Sequence, residues 1–172
     1  MDRDQLRALQ APLKATYKDD PSQALITLKA KGTLGEGISC SVDTGRAIAN
    51  AGLHPATGGD GTLLCSGDML LEALVACAGV TLGAVATALE ISIEDGKVYA
   101  EGDLDFRGTL GVDKEAAVGF ETIRLSFELD TDADDEQLAT LLKLTERYCV
   151  VYQTLARGPR LQVSLDRAAA AA

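Results

Sequence analysis

The sequence has no tryptophan, one histidine and few aromatics of any kind, so its core must be built from Leu, Val, Ile and Ala. It is also short of positive charge: 16 Lys and Arg against 26 Asp and Glu leave a net charge of −10. Such a surface repels nucleic-acid phosphates and anionic membranes, whose binding depends on neutralisation by Lys and Arg; no nucleic acid and no membrane is expected as a partner. None of the four cysteines, Cys40, Cys65, Cys77 and Cys149, stands in a Cys-x-x-Cys pair. In a chain of this size and core content, the disulfide scaffold of small secreted domains is excluded. No apolar run follows the charged start Met1-Asp2-Arg3-Asp4-Gln5, so no secretory signal is expected and the cytoplasm is the expected compartment. The lone His54 has no Cys or carboxylate at ligand spacing, and no metal site is expected from it.

What is present fits one domain over residues 1–172, with a helical segment at 1–20 and a frayed alanine tail at 168–172. Leu6, Leu9, Leu13 and Tyr17 recur at helical spacing, with Pro12 predicting a kink or two short pieces. Strands are expected at 24–34 and 37–44, joined by a turn at Gly35-Glu36-Gly37. Cys40 falls on the apolar face of the second strand, where a core thiol is the ordinary reading. The glycine-rich stretch 45–66 lacks the Gly-Lys-Ser/Thr of a phosphate loop and the spacing of a dinucleotide fingerprint. Further strands are expected at 96–108, 119–130 and 161–165. In the second of these, Ile123, Leu125, Phe127 and Leu129 alternate with Arg124, Ser126 and Glu128, predicting a sheet with one wet face. A helix is expected over 134–156, its start rich in Asp and Glu, which suits the positive end of the helix dipole. Asp130, Asp132 and Asp134 imitate a calcium loop, but Asp135 and Leu141 occupy the positions that need Gly and Glu.

The run Ala73–Leu89 carries no charge at all. It is short for a membrane span and closely bounded by acids, so it reads as a helix that something must wrap on all sides. Gly79 and Gly83 leave a shallow groove on it where a backbone could approach. Cys77 lies mid-way along this helix. At about 100° per residue, Cys149 falls within roughly 20° of Leu138 and Leu142 on the later helix, hence on its buried face. The two thiols are either core packing or a redox pair, and spacing alone leaves both open. Cys65 has no motif partner and reads as structural.

The segment Gly67-Asp-Met-Leu-Leu-Glu-Ala-Leu-Val-Ala-Cys77-Ala-Gly-Val-Thr-Leu resembles the first-cysteine helix of the OsmC/Ohr family. Glu146-Arg147-Tyr148-Cys149 is similar to the family's second-cysteine motif, and the order of elements matches from about residue 24 to 165. The resemblance implies an α+β fold of the OsmC type, an intertwined homodimer with antiparallel sheets from two chains wrapping central buried helices. It also implies a thiol-dependent peroxidase of the oxidative stress response that reduces organic hydroperoxides. In that scheme Cys77 is peroxidatic and passes through a sulfenic acid, Cys149 resolves it to a disulfide, and a dithiol reductant restores the pair. No cofactor is implied. The alternative is a small-molecule-binding dimer that keeps the pocket without the chemistry.

Cys77 needs a compensating cation to be a thiolate at neutral pH, because an apolar setting raises a thiol's pKa. In the Ohr branch this is an Arg from the early hairpin region, held by a Glu ten residues before the first Cys. Here Gly67 stands at that position, the acid is Asp68, and no Arg lies in the turn at 35–37. Arg46 is the best remaining arginine candidate, with Lys29 and Lys31 behind it. Asp68 is the candidate acid, though its position suits a helix cap. Glu72 lies about 140° round the helix from Cys77. The proline that often follows the family's second cysteine is replaced by Val150.

Overall fold

The computed structural model describes residues 3–34, 40–42 and 52–165. The expected turn at 35–37, Arg46 and the alanine tail lie outside them. Helix α1 (Arg3–Asp19) runs through Pro12 as a single element. Asp20 then caps the short turn Pro21–Ala24, its carboxylate accepting from the Ser22 N–H at 3.1 Å. Strands β1 (Leu25–Leu34) and β2 (Cys40–Val42) pair antiparallel, as the hairpin reading requires. Helix α2 (Ser66–Ala88) follows, then strand β3 (Asp95–Asp105), the single turn α3 (Phe106–Thr109) and strand β4 (Phe120–Asp130). The sheet order is β2-β1-β3-β4 with antiparallel neighbours throughout, so the α+β class expected from sequence is observed.

β3 alternates strictly, burying Gly96, Val98, Ala100, Gly102 and Leu104 on one face. α2 lies across that face and contributes Leu71, Leu74, Val75 and Ala78 to a core shared with Val98, Ala100, Phe106, Tyr17 and Cys149. Small residues on β3 let the helix sit close, which is how a Leu/Val/Ala core reaches native packing density without tryptophan. The Tyr17 hydroxyl donates to the Ala56 carbonyl at 2.7 Å, tying α1 to this core. On β4 the expected wet face is observed: Arg124, Ser126 and Glu128 are exposed, while Ile123, Leu125, Phe127 and Leu129 are half-buried.

One expectation about α2 is met only on one side. By length and composition the helix could cross a membrane, and 44% of its most apolar stretch is buried within this chain. The sheet covers the Leu71–Leu74–Val75–Ala78 face and leaves a stripe through Leu70, Ala73 and Val80 uncovered, because a single sheet has only one inner face.

Two further expectations are corrected. The helix expected over 134–156 is two helices, α4 (Asp135–Tyr148) and α5 (Val150–Arg157), broken at Cys149. α4 starts on a capping box in which the Asp134 carboxylate accepts from the Gln137 N–H at 2.8 Å and the Gln137 amide oxygen accepts from the Asp134 N–H at 3.0 Å. At Cys149 the backbone turns extended (φ −70°, ψ 107°), and the chain restarts as α5 in a new direction. The strand expected at 161–165 is also not formed: Leu161, Val163 and Leu165 are 83%, 97% and 93% exposed. Alternation gives a segment an apolar face but no ladder partner, and no strand among the described residues pairs with it.

Leu71 is fully buried between α2 and the sheet. Leu71→Ala is expected to lower stability by roughly 2–5 kcal/mol in urea unfolding; a loss below about 1 kcal/mol contradicts this account of the core.

Candidate functional site

The break at Cys149 brings two thiols together. Cys149 is 0% exposed and Cys77 is half-buried, and both are free. Cys149 ends one helix and caps the next, and its backbone and sulfur are all engaged. Its N–H donates to the Thr145 carbonyl at 2.9 Å, its carbonyl accepts from the Gln153 N–H at 2.9 Å, and its sulfur accepts from the Tyr152 N–H at 3.4 Å. A helix start leaves its first N–H groups without intrahelical partners. In α5 those of Val150 and Val151 act on the Cys77 thiol and lower its pKa. The Cys149 thiol and the hydroxyl of Thr81, one turn further along α2, act on it in the same direction.

These donors decide the charge of the site. Burial alone pushes the Cys77 thiol up, but the Val151 N–H, the Cys149 thiol, the Val150 N–H and the Thr81 hydroxyl outweigh it and bring its pKa below the ordinary value. Cys149 moves the other way, pushed up to about 11 by burial first and by the neighbouring Cys77 sulfur, against the Tyr152 N–H. The pair therefore gives up its first proton from Cys77, while Cys149 keeps its own and donates it to the thiolate. The positive end of a helix facing a thiolate works in the same direction. The sulfur that carries the charge is also the more accessible one.

Next to the pair, a cleft of about 590 Å³ opens between β4 and the α4–α5 elbow, walled by Leu74, Ile123, Phe127, Leu142, Tyr152 and Leu155. Neither sulfur lines it, but Leu74 and Tyr152 each stand three residues from one of the cysteines.

A family model described as OsmC-like protein matches residues 59–164, well over half of the chain. The chain belongs to the OsmC-like family. The matched region takes in both cysteine helices and the two strands between them. An OsmC-like hydroperoxide resistance protein from Jannaschia sp. CCS1 has a similar fold, with TM-score 0.62 and 14% identity over 84% of this chain and 95% of that one. An OsmC-like protein from Mycoplasma pneumoniae is similar at TM-score 0.54 and 17% identity, over 78% of this chain and 86% of that one. At these identities the likeness speaks to the fold. No curated protein matches the chain.

Within this OsmC-like fold the other residues singled out from the sequence are placed as follows. Asp68 does not cap α2: the cap position is Cys65, without a side-chain cap hydrogen bond, and Asp68 lies in the first turn. Nine residues from Cys77, it sits on the opposite side of the helix. Its neighbours are His54 and Glu72; burial pushes its carboxyl up, opposed by the charge of His54. His54 stacks on Phe106 with ring centres 4.9 Å apart, and its Nδ1 accepts from the Ala56 N–H at 3.0 Å. Burial holds its pKa down. Cys65 is half-buried against the core, Lys31 is exposed, and Arg46 lies outside the described residues. Among the described residues, no group of three or more His, Cys, Asp or Glu side chains could hold a metal ion.

The sequence reading missed the amides of Val150 and Val151. They are donors only because the helix breaks, and neither Gly nor Pro marks the break. Thr81 was legible, since a residue four positions on from Cys77 shares its helix face.

Two measurements check the charge assignment. At pH 7.5 iodoacetamide is expected to alkylate Cys77 at least about tenfold faster than Cys149, by peptide mass mapping, because only the thiolate reacts. The folded Cys149 keeps its proton up to about 11, whereas an unfolded thiol loses it near the ordinary value. Between those pH values the unfolded state binds fewer protons, so Cys149 makes stability fall as pH rises. Urea unfolding of wild type against Cys149→Ser is expected to show that slope only in wild type.

Proposed function

We propose that the protein is a thiol-dependent peroxidase that reduces organic hydroperoxides through Cys77 and Cys149. The observation that carries this reading is the asymmetry of the pair: a half-buried free thiol on α2 beside a fully buried one at the α4–α5 junction, the first with its pKa lowered by its neighbours and the second with its pKa raised by burial. The Cys77 thiolate attacks the terminal oxygen of the hydroperoxide and the O–O bond breaks. The alkoxide leaves and takes up a proton as an alcohol, and Cys77 becomes a sulfenic acid. The thiol of Cys149 condenses with it, forming the disulfide and releasing water. A dithiol donor reduces the disulfide in two exchange steps and is itself oxidised to a disulfide. The apolar cleft beside the pair suits the organic part of such a substrate.

The same reading includes a cytoplasmic homodimer acting in oxidative stress. Two observations support a second copy: the uncovered stripe of α2 beside Cys77, and the exposed, alternating segment Leu161–Leu165. Apolar surface of this kind marks an interaction site.

Stopped-flow oxidation by cumene hydroperoxide and by hydrogen peroxide tests the chemistry. Wild type is expected to form an intramolecular disulfide, Cys149→Ser to stop at the sulfenic acid, and Cys77→Ser to be inert. Asp68→Asn is expected to stay within about threefold of wild type, because Asp68 lies in the first turn of α2 on the side opposite Cys77. If neither oxidant reacts faster than with a free thiol, the peroxidase reading fails and the small-molecule-binding one takes its place.

A further inference from the structure

We infer that the outer face of the α4–α5 elbow, where Lys143, Arg147 and Arg157 stand with Tyr148 and Val150, docks the acidic surface of the dithiol protein that reduces the Cys77–Cys149 disulfide. The inference rests on the peroxidase reading and goes further, to where the reductant is recognised and by what chemistry.

Two helices build this face. Lys143 and Arg147, four residues apart, share one side of α4, and Arg157 ends α5. Arg147, Gln153 and Arg157 form a common wall of two hollows. The larger, about 700 Å³, also takes in Lys143 and Glu146; the smaller, about 400 Å³, takes in Tyr148 and Val150. The Gln153 side-chain amide ties the two helices together by donating to the Glu146 carbonyl at 2.7 Å. The Arg147 guanidinium lies 5.6 Å from the centre of the Tyr148 ring.

Charge sets this face apart. The chain has a net charge of −10, so carboxylates are in excess. Arg107 and Arg124 are both ion-paired with aspartates. Lys143, Arg147 and Arg157 form no ion pair among the described residues, and Glu146 is the one acid there that lines either hollow. Cations gathered on an otherwise acidic molecule draw an anionic partner to that one place. Guanidinium groups match carboxylates in geometry as well as charge. Tyr148 and Val150 are 58% and 71% exposed, and the three cations are exposed beside them. A face this open suits a protein surface rather than an enclosed small molecule, and Tyr and Arg are the residue types that carry most binding energy in protein interfaces.

Position ties the face to the thiol pair. Tyr148 and Val150 are the chain neighbours of Cys149, so a partner seated on them lies against the joint of the elbow. One thiolate of the partner attacks the Cys77 sulfur, the S–S bond breaks, and Cys149 leaves as a thiolate and takes a proton. The partner's second thiolate attacks its own first sulfur in the mixed disulfide, releasing the Cys77 thiolate. The partner departs as a disulfide, having given two electrons to the pair.

The probes are synthetic peptides with one Cys-Gly-Pro-Cys core, flanked by glutamates or by serines, and dithiothreitol. Wild type is oxidised with cumene hydroperoxide, and reduction of its disulfide is followed by quenched alkylation and mass mapping. Each rate is divided by the same probe's rate toward hydroxyethyl disulfide, which removes differences in intrinsic thiol reactivity. Repulsion by the net charge alone makes the glutamate peptide the slower one. Docking on the elbow makes it about tenfold faster than the serine peptide at low salt. That advantage is expected to vanish in about 0.5 M sodium chloride. The double variant Arg147→Gln, Arg157→Gln is expected to lose it too, while reduction by dithiothreitol stays within about twofold of wild type. A glutamate peptide no faster than the serine peptide on wild type, or an advantage unchanged in the double variant, overturns the inference. If circular dichroism shows the double variant unfolded, Lys143→Gln decides, an unchanged advantage overturning it. If cumene hydroperoxide forms no disulfide, the peroxidase reading fails. The disulfide is then made with diamide, and the same comparison decides the docking surface.

Discussion

A helix running unbroken from residue 135 to 157 would satisfy the N–H groups of Val150 and Val151 internally. The break at Cys149 is the constraint on which the site depends. It costs the hydrogen bonds of a helix interior and replaces some with others: the Thr145 carbonyl accepts from the Cys149 N–H, and the Cys149 sulfur accepts from the Tyr152 N–H. Gln153 bridges the elbow from the far side, its side-chain amide donating to the Glu146 carbonyl at 2.7 Å. Cys149 is therefore both the joint of the elbow and the buried neighbour of Cys77. Its burial and its raised pKa follow from the first role and serve the second.

The elbow can hold its position because α2 is fixed. Leu71, Leu74, Val75 and Ala78 seat the helix on β3, and Cys77 packs against the same core as Val151, Tyr152 and Leu155 of α5. This arrangement buries one side of a helix that is apolar on all sides. Burial of apolar surface is the dominant stabilising term in a chain with so few aromatics. The stripe through Leu70, Ala73 and Val80 stays exposed among the described residues, and it runs beside Cys77. The proposed second copy would complete the core and close the site with the same contact.

Much of this was legible in the sequence. The uncharged run from Ala73 to Leu89 fixed the central helix, and the alternation at Ile123–Leu129 fixed a half-buried strand with its wet face. The family followed from the motifs around Cys77 and Cys149. The elbow was not legible, because Leu138, Leu142 and Cys149 sustain helical spacing across a junction that carries no Gly or Pro. Burial of Cys149 was expected from that spacing; it is fully buried, but at a junction rather than on a continuous helix face. The strand expected at 161–165 failed for a different reason. Alternation reports which side of a segment is apolar, not whether a neighbouring strand exists to pair with it. The search for a compensating charge led to Arg46 and Asp68, because side-chain chemistry is visible in a sequence and free backbone amides are not.

The most direct test of the account is an NMR pH titration of the reduced, amide-labelled protein, following the Val150 and Val151 resonances. If these amides hold the thiolate, both move together with one midpoint below the ordinary thiol value of about 8.5, and Cys77→Ser abolishes the movement. Amides that stay flat through this range, or follow a midpoint at or above the ordinary value, would show that the elbow does not activate Cys77.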